Sequence, residues 1–188
     1  IKTKPGNSIV SSCFILVRPS ATGENEVLAM SDCAINIHPT EDELVEIAGE
    51  SAACARIFGV DPKVAFLSYS TLGSGKGEDV DKMRNAAHKA REQYPDLPIE
   101  GDLPFDAAVS PRVARTKCPD SSVAGHANTF IFPDINAVNI GYKIAQRLGN
   151  FEAYGPILLG LNAPINDLSR GCNASEVYSM AIITAALA

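Results

Sequence analysis

The stretch that decides the fold spans residues 63–93 and reads KVAFLSYSTLGSGKGEDVDKMRNAAHKAREQ. Its apolar start, residues 63–69, predicts a buried strand, and the glycine-rich segment that follows, residues 70–77, predicts a loop. A helix is predicted from residue 78 to residue 93. The order strand, glycine-rich loop, helix is typical of α/β proteins, where such loops can hold phosphate. Because no Gly-Lys-Ser/Thr closes the loop at Walker A spacing, we interpret it as lining a cleft, with phosphate binding as the alternative.

The alternation of strands and helices extends in both directions from this stretch. Toward the N-terminus, two strands at 8–17 and 26–32, joined by a turn around residues 22–25, are expected to pair antiparallel. A long helix follows, with Thr40 and Glu43 as its capping box. Toward the C-terminus, strands are predicted at 98–102, 128–132 and 153–159, and helices at 105–117 with a break at Pro111, at 134–148 and at 173–188. This pattern predicts a layered α/β/α sandwich around a mainly parallel, mixed sheet.

Three loops are predicted at the carboxyl ends of strands, where α/β sheets bind ligands: residues 70–77, 133–139 and 162–172. The last contains NDLSRGC at 166–172, which combines a carboxylate, a hydroxyl, a guanidinium and a thiol in one turn. This turn opens a helix that we expect Asn173 and Glu176 to cap. The N–H groups and the positive dipole end of such a helix attract anions, so this turn is a candidate anion site.

The composition limits the classes of partner. The formal charge of −6 and the pI near 5.0 argue against binding to nucleic acid. No apolar run approaches the roughly 20 residues of a membrane helix, and no secretory leader opens the sequence. We therefore interpret the protein as cytoplasmic, with no membrane partner. Because the sequence starts without Met and enters a strand almost at once, we also interpret it as a segment of a longer protein.

The five cysteines are interpreted as free thiols. Their number is odd, and none of them has a close neighbour at metal-ligand spacing. No disulfide and no metal site is therefore predicted. They are Cys13, Cys33, Cys54, Cys118 and Cys172.

Several separated motifs occur in an order that resembles the phosphate acetyltransferases. They are IKTKPG at 1–6, SDCAIN at 31–36, LSYST at 67–71, FDAA at 105–108, FPDINA at 132–137 and NDLSRGC at 166–172. The similarity runs over nearly the whole chain and corresponds to the C-terminal half of these enzymes. It implies that residues 1–165 form the second α/β domain. Residues 166–188 would then be the active-site turn and a returning C-terminal helix that packs on the N-terminal domain.

The resemblance also implies a reaction and a set of partners. The enzymes transfer acetyl reversibly between CoA and phosphate, with CoA or acetyl-CoA as substrate and no metal or tightly bound cofactor. Their fold resembles that of the isocitrate and isopropylmalate dehydrogenases, with the site between two domains, and they are usually homodimers. The implied partners are CoA, phosphate or acetyl phosphate, a second copy of the chain, and the N-terminal half of the same enzyme.

Family knowledge carried onto this sequence assigns catalysis to Ser169 and Arg170, which would also bind substrate. A hydroxyl can donate to an oxyanion, and a guanidinium suits phosphate. The family base, usually Asp, corresponds to Glu176, which adds a methylene. Glu176 is equally suited to cap the last helix, and both roles stay open. Cys172 is interpreted as a reactive thiol without a catalytic role.

Among the polar residues at 134–143, only Asn136 is assigned to substrate binding. Asp134 is interpreted as a helix cap and Lys143 as a surface residue, although Asn139 and Lys143 are also placed to face the cleft. The family's other arginines, which hold phosphate and CoA, belong to the N-terminal half. The 188-residue chain alone is therefore expected to be inactive.

Two other functions compete with the enzyme hypothesis. One is a non-catalytic module for acetyl-CoA sensing or dimerisation. The other is a phosphate butyryltransferase, which differs in an acyl pocket that no residue here lets us size. The motif at 169–172 favours an enzyme, because a pure sensor has no need to retain it.

Overall fold

A computed structural model of the protein describes residues 1–20, 23–168 and 170–188. These residues form six strands and six helices, in the order in which they were predicted. The strands are β1 (Ser11–Pro19), β2 (Asn25–Ser31), β3 (Val64–Leu67), β4 (Ile99–Leu103), β5 (Thr129–Ile131) and β6 (Glu152–Leu159). The helices are α1 (Glu41–Ile57), α2 (Glu78–Gln93), α3 (Phe105–Val109), α4 (Pro111–Lys117), α5 (Ile135–Leu148) and α6 (Ala174–Ala186).

All six strands join one sheet in the order β4-β3-β5-β2-β1-β6. The four strands from β4 to β2 are parallel, whereas β1 is antiparallel to both of its neighbours, β2 and β6. Consequently β6 runs in the same direction as the four parallel strands, and only β1 runs against them. The prediction of a mixed, mainly parallel sheet and that of an antiparallel β1–β2 pair are confirmed. Part of the turn predicted to join β1 and β2, at residues 21 and 22, lies outside the described residues.

Helices cover both faces of the sheet. Because successive side chains of a strand point to opposite faces, Phe14 and Leu16 of β1 pack toward α3, α4 and α5. The alternate residues Cys13 and Ile15 point the other way, toward α1 and α6. Phe66 of β3 lies in a third cluster, under α1 and α2. The core is therefore divided into two apolar layers by the sheet, as the alternation of elements predicted.

The helix starts follow the predicted caps. The Glu43 N–H donates to Thr40 Oγ1 at 3.3 Å, and the Thr40 N–H donates to Glu43 Oε2 at 2.7 Å, which completes the capping box of α1. Asn173 and Glu176 form a second capping box at the start of α6, and the Asp134 carboxylate caps α5. Each cap satisfies N–H groups that have no partner within the helix.

The first strand starts three residues later than predicted. The N–H and hydroxyl of Ser8 donate to the Glu46 carboxylate on α1, with Ser8 N 2.9 Å from Glu46 Oε2. The Ile9 N–H donates to the same oxygen. This segment therefore uses a side chain as its hydrogen-bond partner instead of a neighbouring strand, and β1 begins only at Ser11.

Helix α6 has apolar side chains on two sides. Met180 and Ile183 are buried against β1 and β6, whereas Val177, Tyr178 and Ile182 are exposed. With 13 residues it is about 20 Å long.

None of the helices in the described part of the chain is long and apolar enough to cross a membrane.

The glycine-rich loop before α2 uses its backbone donors within the molecule. The Leu72 N–H donates to the Asp102 carbonyl at 2.8 Å, and the Gly73 N–H donates to Asp102 Oδ2 at 3.3 Å. The Gly75 N–H donates to Ser70 Oγ at 2.8 Å. The first turn of α2 is acidic, with Glu78, Asp79 and Asp81. These bonds and charges disfavour the alternative in which this loop holds phosphate.

Asp102 is the buried anchor of that loop. Its side chain is fully buried, and Arg84 Nε donates to Asp102 Oδ1 at 3.1 Å. Burial acts to raise the pKa of the Asp102 carboxyl, but hydrogen bonds from Ser70, Arg84 and backbone N–H groups outweigh it and hold the pKa below its ordinary value. Arg84 is 30% exposed, so its charge stays partly solvated.

Replacing Asp102 with Asn is expected to lower the free energy of unfolding by about 2–3 kcal/mol at pH 7. Breaking a fully buried pair costs roughly 3–5 kcal/mol, and the partial exposure of Arg84 reduces that cost. The folded-state pKa lies below the unfolded one, so the carboxylate's contribution is present above about pH 4 and is lost as pH falls through the folded-state pKa. The difference between the two proteins should therefore shrink in acid, as measured by urea denaturation.

The matched control for this experiment is Asp106→Asn. Asp106 pairs with Lys117 at 2.9 Å, but both side chains are exposed, so this change should cost only about 0–1 kcal/mol. Equal losses in the two variants would show that the Asp102–Arg84 pair does not anchor the loop.

Candidate active site

The turn predicted to carry the chemistry is tied to two elements by Asn166. Its Oδ1 accepts a hydrogen bond from the Leu158 N–H of β6 at 2.8 Å. Its Nδ2 donates to Thr184 Oγ1 of α6, also at 2.8 Å. An amide can do both because it carries a donor and an acceptor. Leu168 packs against the apolar layer below α6. Ser169, the predicted catalytic serine, lies outside the described residues.

A cleft of about 630 Å³ opens at the β6 edge of the sheet. One wall is α5, and the other wall is formed by Gly171 and Cys172 of the turn and by the first turns of α6. Of the three loops predicted to lie together, those after β5 and β6 contribute to this cleft. The glycine-rich loop at 70–77 does not line it, because it folds against Asp102 on the β3–β4 side of the sheet.

The floor of the cleft is apolar and aromatic. The rings of Phe14 and Tyr142 stack with centroids 4.1 Å apart and an interplanar angle of 17°. Gly155 of β6 lies against the Phe14 ring, and a Cβ atom there would be 2.8 Å from Phe14 Cδ1, so only glycine fits without displacement. Burial raises the pKa of Tyr142, which is therefore a neutral hydroxyl at pH 7.

The loop after β2 closes one end of the cleft. Cys33 and Ala34 line it, and the buried Asp32 carboxylate shapes the loop by accepting the N–H of Asn36 at 2.9 Å and that of Ala34 at 3.2 Å. The Cys33 carbonyl accepts a bond from Asn139 Nδ2 at 3.5 Å, which connects this loop to α5. Burial raises the pKa of the Cys33 thiol well above its ordinary value, so it stays protonated. Sequence reasoning assigned no role to Asp32, although its motif was part of the resemblance.

The structure brings some of the predicted residues to the cleft and leaves others outside it. Glu176 and Cys172 line the cleft. Arg170 is exposed at its border, and Asn136 is exposed on the first turn of α5; neither is among the described residues that line the cleft. Lys143, which was interpreted as a surface residue, does line it.

Three of the cleft-lining residues of α5 recur at helical spacing. Asn139, Lys143 and Arg147 follow each other at intervals of four residues and share one sector of the helix. Asn136 is seven residues, or about two turns, before Lys143, so it falls in nearly the same sector but about 10 Å nearer the N-terminal end of the helix. The spacing of Asn139, Lys143 and Arg147 in the sequence is the signal by which the cleft-lining residues could have been found.

Glu176 has a structural role as well as a place in the cleft. Its Oε2 accepts the Asn173 N–H at 2.8 Å, and its own N–H donates to Asn173 Oδ1 at 3.0 Å. The cap that the sequence predicted is therefore present. Glu176 is also one of the residues that line the cleft, so capping does not remove it from the site.

The described residues contain no group of three or more His, Cys, Asp or Glu side chains that could hold a metal ion. All five cysteines are free, and four of them are buried. Cys172, in the cleft, is only partly buried.

Comparison with known proteins identifies relatives along the whole chain. The family described as "Phosphate acetyl/butaryl transferase" matches residues 1–185. A protein of Bacillus subtilis (strain 168) named phosphate acetyltransferase is 54% identical over 188 residues, which are 100% of this chain and 57% of that protein. The phosphate acetyltransferase of Corynebacterium glutamicum is 54% identical over 185 residues, which are 98% of this chain and 55% of that protein.

A solved structure gives the same result for the fold. The crystal structure of a phosphotransacetylase from Streptococcus pyogenes superposes with a TM-score of 0.94 at 57% identity. The superposition covers 100% of this chain and 56% of that one. The chain thus spans a little more than half the length of the relatives it matches. Since the family match extends over nearly every residue, the chain belongs to the phosphate acetyl/butaryl transferase family.

Proposed function

We propose that this chain is the second domain of a phosphate acetyltransferase, which transfers acetyl reversibly between CoA and phosphate in the cytoplasm. Residues 1–165 would form the α/β domain, and residues 166–188 the active-site turn and returning helix. The single observation that carries the proposal is the cleft at the β6 edge, in a chain of this family, where Cys172 and Glu176 of the motif region face α5. For the whole enzyme we propose the two-domain architecture of the isocitrate and isopropylmalate dehydrogenases.

The proposed chemistry is direct acyl transfer. Glu176 accepts the proton of the CoA thiol, whose ordinary pKa of about 8.5 requires only modest help. The thiolate attacks the acetyl carbonyl of acetyl phosphate, a C–S bond forms, the bond between the carbonyl carbon and the phosphate oxygen breaks, and phosphate leaves. Ser169 donates a hydrogen bond to the developing oxyanion, and Arg170 holds the phosphate. The reverse reaction uses the same groups, and no metal or bound cofactor is required.

Exposed groups on this chain support a second domain over the cleft. Arg170 is exposed, and so is the apolar face of α6 formed by Val177, Tyr178 and Ile182. Apolar faces of this kind are usually covered by a partner. We propose that they meet the N-terminal half of the enzyme, which would bring Arg170 into the completed site.

A different exposed surface supports the proposal of a homodimer. Ile140, Ile144 and Leu148 are exposed and recur every four residues on α5, so they form one apolar stripe. The stripe lies in a different sector of α5 from the cleft-lining residues. A two-fold contact between two copies of the chain would bury the stripe of each copy against that of the other.

The competing functions have less support. A sensing or dimerisation module would not need the motif at 169–172. The family description includes butyryl as well as acetyl transfer, but relatives that are about half identical to this chain are named phosphate acetyltransferases. The acetyl substrate is therefore the one we propose.

The purified 188-residue chain is expected to have no measurable turnover in an acetyl phosphate assay with CoA. It presents one wall of the proposed site, and the remaining substrate contacts would belong to the other domain. Addition of the N-terminal region of the Bacillus subtilis relative is expected to restore activity. Turnover by the chain alone would contradict the division of the site between two domains.

Ser169→Ala and Arg170→Ala are expected to lower kcat of the completed enzyme by about 10²–10³-fold, because each removes a donor to developing negative charge. The melting temperature should change little, since Arg170 is exposed. Ser175→Ala and Arg115→Ala are the matched controls at exposed helical positions and should leave kcat unchanged. Near-normal turnover in both motif variants would refute the assignment.

Glu176→Gln separates the base from the cap. Glutamine can fill the third helical position of a capping box, so the free energy of unfolding should change by less than about 0.5 kcal/mol. Turnover should fall by about 10²–10⁴-fold, because an amide cannot accept the thiol proton. Glu176→Asp, in contrast, shortens the side chain and should weaken the cap while retaining activity. Full activity of the Glu176→Gln enzyme would reduce the role of this side chain to that of a cap.

A further inference from the structure

The wall of the cleft formed by α5 carries a row of polar side chains. Asn139, Lys143, Gln146 and Arg147 all line the cleft. Asn139, Lys143 and Arg147 follow each other at intervals of four residues and share one sector of the helix, and Gln146 borders that sector. The two cations are one turn apart, which is about 6 Å along the helix axis. They can therefore contact a single phosphoryl group or two neighbouring ones.

These two cations are not neutralised by an ion pair within the described part of the chain. Among the residues that the structure describes, no carboxylate lies within 4.0 Å of Lys143 or Arg147. Lys143 Nζ instead donates to Asn139 Oδ1 at 2.7 Å, which orients the ammonium without neutralising it. The α5 wall is thus a positively charged surface on a protein whose formal charge is −6. Such a local reversal of charge concentrates anions.

The opposite wall has a different character. Glu176 is the carboxylate among the lining residues, and its Oε2 is bound to the Asn173 N–H of the α6 cap. Between the two walls lies the apolar floor of Phe14 and Tyr142. The cleft is therefore polarised, with cations on α5, a carboxylate on α6 and an uncharged surface between them.

We propose that Lys143 and Arg147 form an anion subsite that binds a phosphoryl group of the substrate on the α5 wall of the cleft. The inference rests on the proposed function, and it adds two binding residues to the motif residues considered above. Asn139 is a positioning residue, because it acts through the Lys143 ammonium. The phosphoryl group belongs either to inorganic or acetyl phosphate, or to the diphosphate of CoA, and the experiment distinguishes these two sources.

The test uses the 188-residue chain and three probes: inorganic phosphate, CoA, and pantetheine, which lacks phosphate. Binding is followed by changes in ¹H–¹⁵N NMR spectra. In Lys143→Gln/Arg147→Gln, affinity for at least one phosphate-bearing probe should fall at least tenfold, while affinity for pantetheine stays the same. Loss with inorganic phosphate assigns the subsite to phosphate or acetyl phosphate. Loss with CoA alone assigns it to the CoA diphosphate.

Two further variants distinguish a subsite from general electrostatics and from a folding defect. Arg112→Gln/Arg115→Gln removes the same two charges from exposed positions on α4 and should change affinity by less than twofold. Lys143→Arg/Arg147→Lys keeps both charges on α5 and should retain binding. Any of three outcomes would overturn the proposal. The α4 variant could lose as much affinity as Lys143→Gln/Arg147→Gln, the latter could keep its full affinity, or the unsubstituted chain could bind neither inorganic phosphate nor CoA.

The outcome can be separated from that of the proposed function. If the cations bind phosphate but the completed enzyme forms no acetyl phosphate from acetyl-CoA, the subsite stands and the acyl-transfer assignment fails. If turnover depends on Ser169 and Arg170 while the α5 variant binds every probe normally, the function stands and the subsite is wrong.

Discussion

The pairing of β1 with both β2 and β6 connects the candidate site to the rest of the molecule. This strand runs against all the others, and its two sets of backbone hydrogen bonds hold β6 at the edge of the sheet. Its side chains are buried on both faces, with Phe14 reaching the floor of the cleft and Ile15 the layer under α6. The turn at 166–172 and α6 depend on this arrangement, because both are attached to β6 through Asn166 and through Met180 and Ile183.

Helix α5 shows how one element can serve three surfaces. Val138 packs on the sheet, the row from Asn139 to Arg147 lines the cleft, and the stripe from Ile140 to Leu148 faces outward. A helix has room for these three sectors because each occupies only part of its circumference. The consequence is that a contact on the outer stripe and ligand binding in the cleft involve the same rigid element.

The carboxylates of Asp102 and Glu176 have different roles in this protein. The Asp102 carboxylate is fully buried and bound by Arg84 and by the glycine-rich loop, so its charge stabilises structure far from the cleft. Glu176 caps α6 through Oε2 and is also one of the residues that line the cleft. The cap restricts the Glu176 side chain, which would hold the base that we propose in a defined geometry before substrate binds.

The sequence by itself determined the elements, their order and the family. Hydrophobic periodicity and capping pairs such as Thr40 with Glu43 are local properties, so they predicted the six strands and five helical stretches in order, with end shifts such as that of β1. The stretch predicted at 105–117 is two helices, α3 and α4, and the second begins at Pro111. The tertiary structure decided which side chains share a cleft, since that depends on strands distant in sequence. It placed Lys143 in the cleft and Asn136 outside it. The glycine-rich loop follows β3 and the NDLSRGC motif follows β6, and these two strands are far apart in the sheet, so the loop does not reach the motif. Such relations depend on the order of the strands and on which part of a helix borders the cleft, and local sequence patterns do not encode either.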